Sequence, residues 1–101
     1  MGFLKILDHV ERCYSNEDGT VILNKLSEQL RRGENVELSF DKVDTVTSSF
    51  VNSALIELLE EYSFDQIKRN LKFVDTNSVI NDMIKRRFFF EVKERKNLVH
   101  N

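Results

Sequence analysis

VELSFDKVDTVTSSFVNSALIELLEEY, residues Val36 to Tyr62, reads as strand, tight turn and helix. Val36, Leu38 and Phe40 alternate with Glu37 and Ser39, the period-two pattern of a strand with one buried face. Asp41, Asp44, Thr45, Thr47, Ser48 and Ser49 then crowd a short span with turn and capping chemistry. Val51, Ala54, Leu55, Leu58, Leu59 and Tyr62 follow as one apolar stripe at helical spacing, predicting a helix from about Ser49 to Tyr62. Thr47, Ser48 and Ser49 thus sit where a buried strand hands over to a helix N-terminus. In open α/β sheets that carboxyl-end edge is where sites collect.

Outward from this unit, Phe3 to Val10 predicts a first strand, apolar enough on both sides to be covered on both. Cys13-Tyr14 reads as a short second strand. Ser15-Asn16-Glu17-Asp18 has the form of a capping box. It opens a helix over Asn16 to Arg32 with Leu23, Leu26 and Leu30 as core face and Gly33 as the left-handed residue after its end. Gly19 within the first turn is costly unless something packs closely over it or the helix starts after it. Ser63-Phe64-Asp65 breaks the middle helix, and Phe64 to Arg69 adds one further helical turn. Leu71 to Val74 is a short strand. A last helix starts near Thr76-Asn77-Ser78 with Val79, Ile80, Met83, Ile84 and Phe88 on one side. Phe88-Phe89-Phe90 cannot all face one core, so at least one ring is expected to be exposed or to pack on a partner, a homodimer included. Residues 92–101 are expected as a frayed polar tail. The expected fold is a single α/β domain over 1–101, with a small, mostly parallel sheet of about four strands and about three helices packed on it.

Composition bounds the function. A net charge of −2 gives no general attraction to nucleic acid or anionic membrane. No apolar run approaches the roughly 20 residues of a membrane span. Met1-Gly2 begins like a myristoylation signal but runs straight into strand pattern, so Gly2 reads as structure. One cysteine, Cys13, excludes an internal disulfide and fits a reducing, cytoplasmic setting. With only His9 and His100 beside it, no zinc pattern exists and no metal or cofactor is expected. Cys13 and His9, four residues apart on a strand, would stand about 13 Å apart with no third group to orient the imidazole. No catalytic residue is expected. The basic groups Lys85-Arg86-Arg87 and Lys93, Arg95, Lys96 read as a solvated face, and nucleic-acid contact is a minor reading.

The pieces CYSNEDG (13–19), VELSF (36–40) and VTSSFVNSAL (46–55), with the order of elements, resemble the STAS-like domain family of bacteria and their phages. That family is related to the STAS domains of anti-anti-sigma factors. In those factors the corresponding turn carries an Asp-Ser pair followed by a second small residue, Gly and Leu, and the serine is phosphorylated by a partner kinase. By position that serine falls on Ser48, with Thr47 in place of the aspartate and Phe50-Val51 in place of Gly-Leu. The resemblance implies a regulatory module that binds an ATP-binding kinase-like or ATPase protein.

Two readings of each candidate stay open. Ser48, with Ser49 as fallback, is a phosphoacceptor, or one hydroxyl of the Thr47–Ser49 turn merely caps the helix. Asn16, Asp18 and Gly19 form a capping box and nothing more, or a contact loop beside the serine turn. Asn52, expected on the outer face of the middle helix, bonds locally or reads a partner, as does Thr47. The alternative function is a small-ligand or nucleotide sensor using the same edge. Against it, Gly2, Gly19 and Gly33 are too scattered for a phosphate loop.

Overall fold

Three strands pair in parallel in the order in which the chain makes them. The structure is a computed structural model that describes residues 2–99, with side chains through Arg95. Strand β1 (Gly2–Lys5) lies beside β2 (Val36–Ser39), and β2 beside β3 (Leu71–Val74). Gly2, Val36 and Leu71 are in register across the sheet, as are Leu4, Leu38 and Phe73. Helix α1 (Asn16–Arg31) connects β1 to β2. Helix α2 (Ser48–Ala54), a 3-10 helix (Ile56–Glu60) and α3 (Phe64–Asn70) connect β2 to β3, and α4 (Ser78–Val99) closes the described chain.

This order decides the layering. Parallel crossovers are right-handed almost without exception. When successive strands also step in one direction, every connection falls on the same face. Burial follows: Leu4, Val36, Leu38 and Leu71 are buried on the helical face. The opposite face carries Phe3, Glu37 and Lys72 in one row, with Phe3 57% exposed. The fold is therefore α/β as expected, with three strands rather than about four and four helices rather than about three. The first strand is not covered on both sides.

Each departure has a local cause. The first strand ends at Lys5, where β2 ends opposite it at Ser39. Beyond that point no ladder partner remains, and Ile6–Asp8 winds into a 3-10 turn in which His9 N–H donates to the Ile6 carbonyl at 3.0 Å. Cys13-Tyr14 forms no strand, because its carbonyls bind Thr47 instead, Cys13 O accepting from the Thr47 N–H at 3.1 Å and Tyr14 O from the Thr47 hydroxyl at 2.7 Å. The middle helix is not continuous to Tyr62. Leu55 leaves helical geometry (φ −122°, ψ −47°), and the chain tightens to three residues per turn. That change buries Leu55, Ile56 and Leu58 and leaves Leu59 only partly covered. Helix α3 is a separate element because Ser63 and Gln66 close a reciprocal capping box of their own.

Other expectations match. Helix α1 has the Ser15/Asp18 capping box, and Gly33 (φ 78°) ends it. There Glu34 N–H donates to Gln29 O and Gly33 N–H to Leu30 O, the paired bonds of a Schellman end. Its buried face runs through Gly19, Ile22, Leu26 and Leu30, with Leu23 at the margin. Asn77 caps α4, its side-chain oxygen accepting from Ile80 N–H at 2.9 Å. Ile80, Ile84 and Phe88 are the buried stripe of α4, while Val79 is exposed. Residues 88–92 are helical, with Phe88 buried and Phe89 and Phe90 exposed. The helix continues through 93–99, where the sequence reading placed a tail. Met1, His100 and Asn101 lie outside the described residues, so the end of that tail and the His100 reading do too. No described helix is long and apolar enough to cross a membrane. Gly2 is buried as the first residue of β1, its N–H donating to Asn35 O.

Candidate functional site

Helices α1 and α2 make the most extensive contact between any two elements, and their N-termini meet side by side. Gly19 makes this possible. A Cβ there would stand 2.6 Å from Ser53 Cβ, 2.8 Å from the Phe50 carbonyl oxygen and 3.0 Å from the Ala54 nitrogen. Its cost within a helical turn is thus the cost of bringing α2 down onto α1. Asn16 adds a polar tie, its side-chain oxygen accepting from the Ser53 hydroxyl at 2.9 Å.

Thr47 is the N-cap of α2 and the joint of the site. Its hydroxyl oxygen accepts from Phe50 N–H at 3.1 Å while the hydroxyl donates to Tyr14 O. Its own N–H is bound to Cys13 O. Thr47 is therefore fixed on three sides and half-buried. Ser48 and Ser49 follow as the first two helical residues, both exposed, and among the described residues no hydrogen bond engages either hydroxyl. A phosphate on either would sit near free backbone N–H groups at the positive end of the helix.

The structure ties Asn16 to Ser53, seats Gly19 against Phe50, Ser53 and Ala54, and binds Thr47 to the Cys13-Tyr14 segment that leads into α1; Ser48 and Ser49 follow Thr47 in the chain. Asp18 belongs to the same corner, where its carboxylate accepts from Ser15 N–H at 3.4 Å in the capping box. Asn52 does not join them. It is half-buried toward α4, its side-chain oxygen accepting from Arg87 Nε at 2.8 Å, and Arg87 in turn pairs with Glu91 at 3.1 Å. Its outward placement is thereby corrected: it ties α2 to α4.

Several contributors were not foreseen. Tyr14, half-exposed, gives the site its carbonyl at a position whose sequence pattern predicts a strand. At the carboxyl ends of the strands, buried Ser39 donates to Asp75 Oδ2 at 2.6 Å and accepts from Asp41 N–H at 3.2 Å. Lys5 pairs with Asp41 at 3.2 Å. The only sequence signal for the first tie is an aspartate directly after β3, since Ser39 alternates onto the face that reads as solvated.

Cys13 is buried, and its thiol is pushed up to about 12, first by that burial and second by the nearby Asp18 charge. It is a protonated, unreactive thiol at neutral pH. Among the described residues no group of three His, Cys, Asp or Glu side chains is placed to hold a metal ion.

Comparison with known proteins places this geometry. Neither the curated proteins nor the solved structures gave a match. Residues 18–81, which run from the α1 capping box through both crossovers into α4, match the family described as a STAS-like domain of unknown function (DUF4325). That span holds β2, the serine turn and β3, and the chain belongs to this STAS-like domain family.

Proposed function

We propose that this STAS-like domain is a small regulatory module that binds a protein partner through the corner where α1 and α2 meet, and that phosphorylation of Ser48, or of Ser49, switches that binding. The observation that carries the reading is the contrast within one turn. Thr47 is held by Phe50, Tyr14 and Cys13, while Ser48 and Ser49 project into solvent from a rigid mount. A modification there adds roughly −1.5 to −2 charge without disturbing the core. By its resemblance to anti-anti-sigma factors, the partner is an ATP-binding kinase-like or ATPase protein, and the setting is the cytoplasm. Cys13, buried and protonated, offers no thiolate nucleophile. The strand order supports a binding module over a small-ligand sensor, because a sheet wound in one direction has no switch-point crevice at its carboxyl edge.

Ser48→Asp tests the switch. Ser48 is the first helical residue, where a carboxylate is favoured by about 0.3–1 kcal/mol, so the variant should stay folded and nearly as stable as wild type. It should bind the natural partner, recovered by affinity capture from the native host, at least about tenfold more weakly, the loss expected from a charge placed in an interface. Ser48→Ala should bind as wild type does. If Ser48→Asp and Ser49→Asp are both folded by circular dichroism and both bind normally in titration, the turn is a helix cap and no switch.

A further inference from the structure

We infer that the groove between α3, β3 and α4 is a second docking surface, built for an acidic amphipathic helix of a partner protein. It shares no residue with the serine turn. The groove has a volume of 420 Å³, a floor that includes Phe64, Phe73 and Phe88, and a rim of Lys68 and Lys85. Phe64 stacks on Phe88 with ring centroids 5.1 Å apart, and the Lys68 ammonium lies 4.8 Å over the Phe64 ring. Phe64 and Lys85 also wall a second, adjoining apolar depression of 430 Å³ that Arg86 and the exposed Phe89 complete.

Charge chooses the occupant. The chain as a whole is acidic by two charges, yet this surface gathers Lys68, Lys85 and Arg86 around aromatic rings. Lys68 has one exposed partner, Asp65, at 3.7 Å. Lys85 and Arg86 form no ion pair among the described residues. Lysine stems extend an apolar wall while their ammonium groups stay in water, so the complement is an apolar stripe edged with carboxylates. Shape chooses between a helix and a compact ligand. One apolar group fills one depression, whereas apolar side chains one turn apart on a helix can fill both, the helix-in-groove mode of recognition.

The test is selection against the whole chain from a displayed library of peptides of about 15 residues, long enough to form a helix on a surface. Recovered peptides should carry two apolar residues at helical spacing flanked by Asp or Glu. They should bind Lys68→Glu/Lys85→Glu about tenfold or more weakly, as expected when interfacial charge pairs become repulsive. The same peptides should bind Ser48→Asp unchanged, which separates this surface from the serine switch. Both lysines are exposed, and circular dichroism checks that the double variant folds. Peptides without acidic enrichment, or equal binding to the double variant, would overturn the inference. So would a wild-type dimer in light scattering that Phe89→Ser converts to monomer, which would assign the surface to a second copy. Recovery of no peptide, with or without saturable binding of decanoate, would overturn it as well.

Discussion

Gly19 carries two opposed contributions whose balance can be measured. Replacing a mid-helix glycine by alanine ordinarily gains about 1 kcal/mol. Here the new Cβ would meet two backbone atoms of α2 at 3.0 Å or less, and backbone cannot swing aside as a long side chain can. Gly19→Ala should therefore destabilise by about 1–3 kcal/mol in urea melts, the range for overpacked sites. A gain in stability would show that α1 and α2 do not pack this closely. Cys13 gives a second residue-scale test, in pH. Its folded pKa, about 12, lies above its ordinary 9.0, so the folded state keeps a proton that the unfolded chain releases. The contribution is whole below pH 9 and is lost as pH rises from there toward 12. Wild type should lose stability relative to Cys13→Ala as pH goes from 8 toward 10.5, and the native thiol should resist modification by thiol reagents at neutral pH. Parallel pH curves for the two proteins would contradict the burial.

Between α2 and α3 the element-scale question is which side chains the chain buries once it leaves α-helical geometry at Leu55. A continuous helix would bury Leu58 and Leu59 and turn Ile56 aside. The 3-10 segment buries Ile56 and Leu58, with Leu58 N–H bonded to Leu55 O at 3.0 Å and Glu61 N–H to Leu58 O at 3.1 Å. Ile56→Ala and Leu58→Ala should each cost about 2–5 kcal/mol, as for buried aliphatic residues generally. Leu59→Ala should cost less than either. Glu60→Ala should fall within about 1 kcal/mol of wild type, because its pairing with Arg95 at 3.6 Å is an exposed one. A larger loss at Leu59 than at Ile56 in denaturant melts would restore the continuous helix. No glycine or proline marks this break. The competition is between regular hydrogen bonding and burial of Leu55, Ile56 and Leu58 together, and tertiary packing settles it.

The described residues form two layers, a parallel sheet with helices on one face only. Parallel sheets are nearly always covered on both faces, so the open one is an uncommon feature of this fold. It follows from three strands laid down in order with same-handed crossovers. The two faces should differ sharply on mutation. Leu4→Ala should cost about 2–5 kcal/mol and Phe3→Ser within about 0.5 kcal/mol of nothing, although the two residues are neighbours. Thermal melts of the pair decide this, and a large loss at Phe3 would mean that the outer face is covered.

The residues by themselves determined the α/β class, the strands that start at Val36 and Leu71, and the two ends of α1. Alternation in Val36–Phe40, the Ser15/Asp18 box and Gly33 are local signals that no distant contact has to complete. They also located the serine turn, because capping chemistry between a strand and a helix is written in consecutive residues. What they could not determine depends on pairs far apart in the chain. Thr47 takes the Tyr14 carbonyl across 33 positions, and Asn52 turns to Arg87 across 35. Gly19 is explained only by the α2 backbone above it, and Phe3 is exposed only because no crossover returns to its side of the sheet. A side chain's partners are fixed when separate elements are packed together, and local pattern carries no record of which elements those will be.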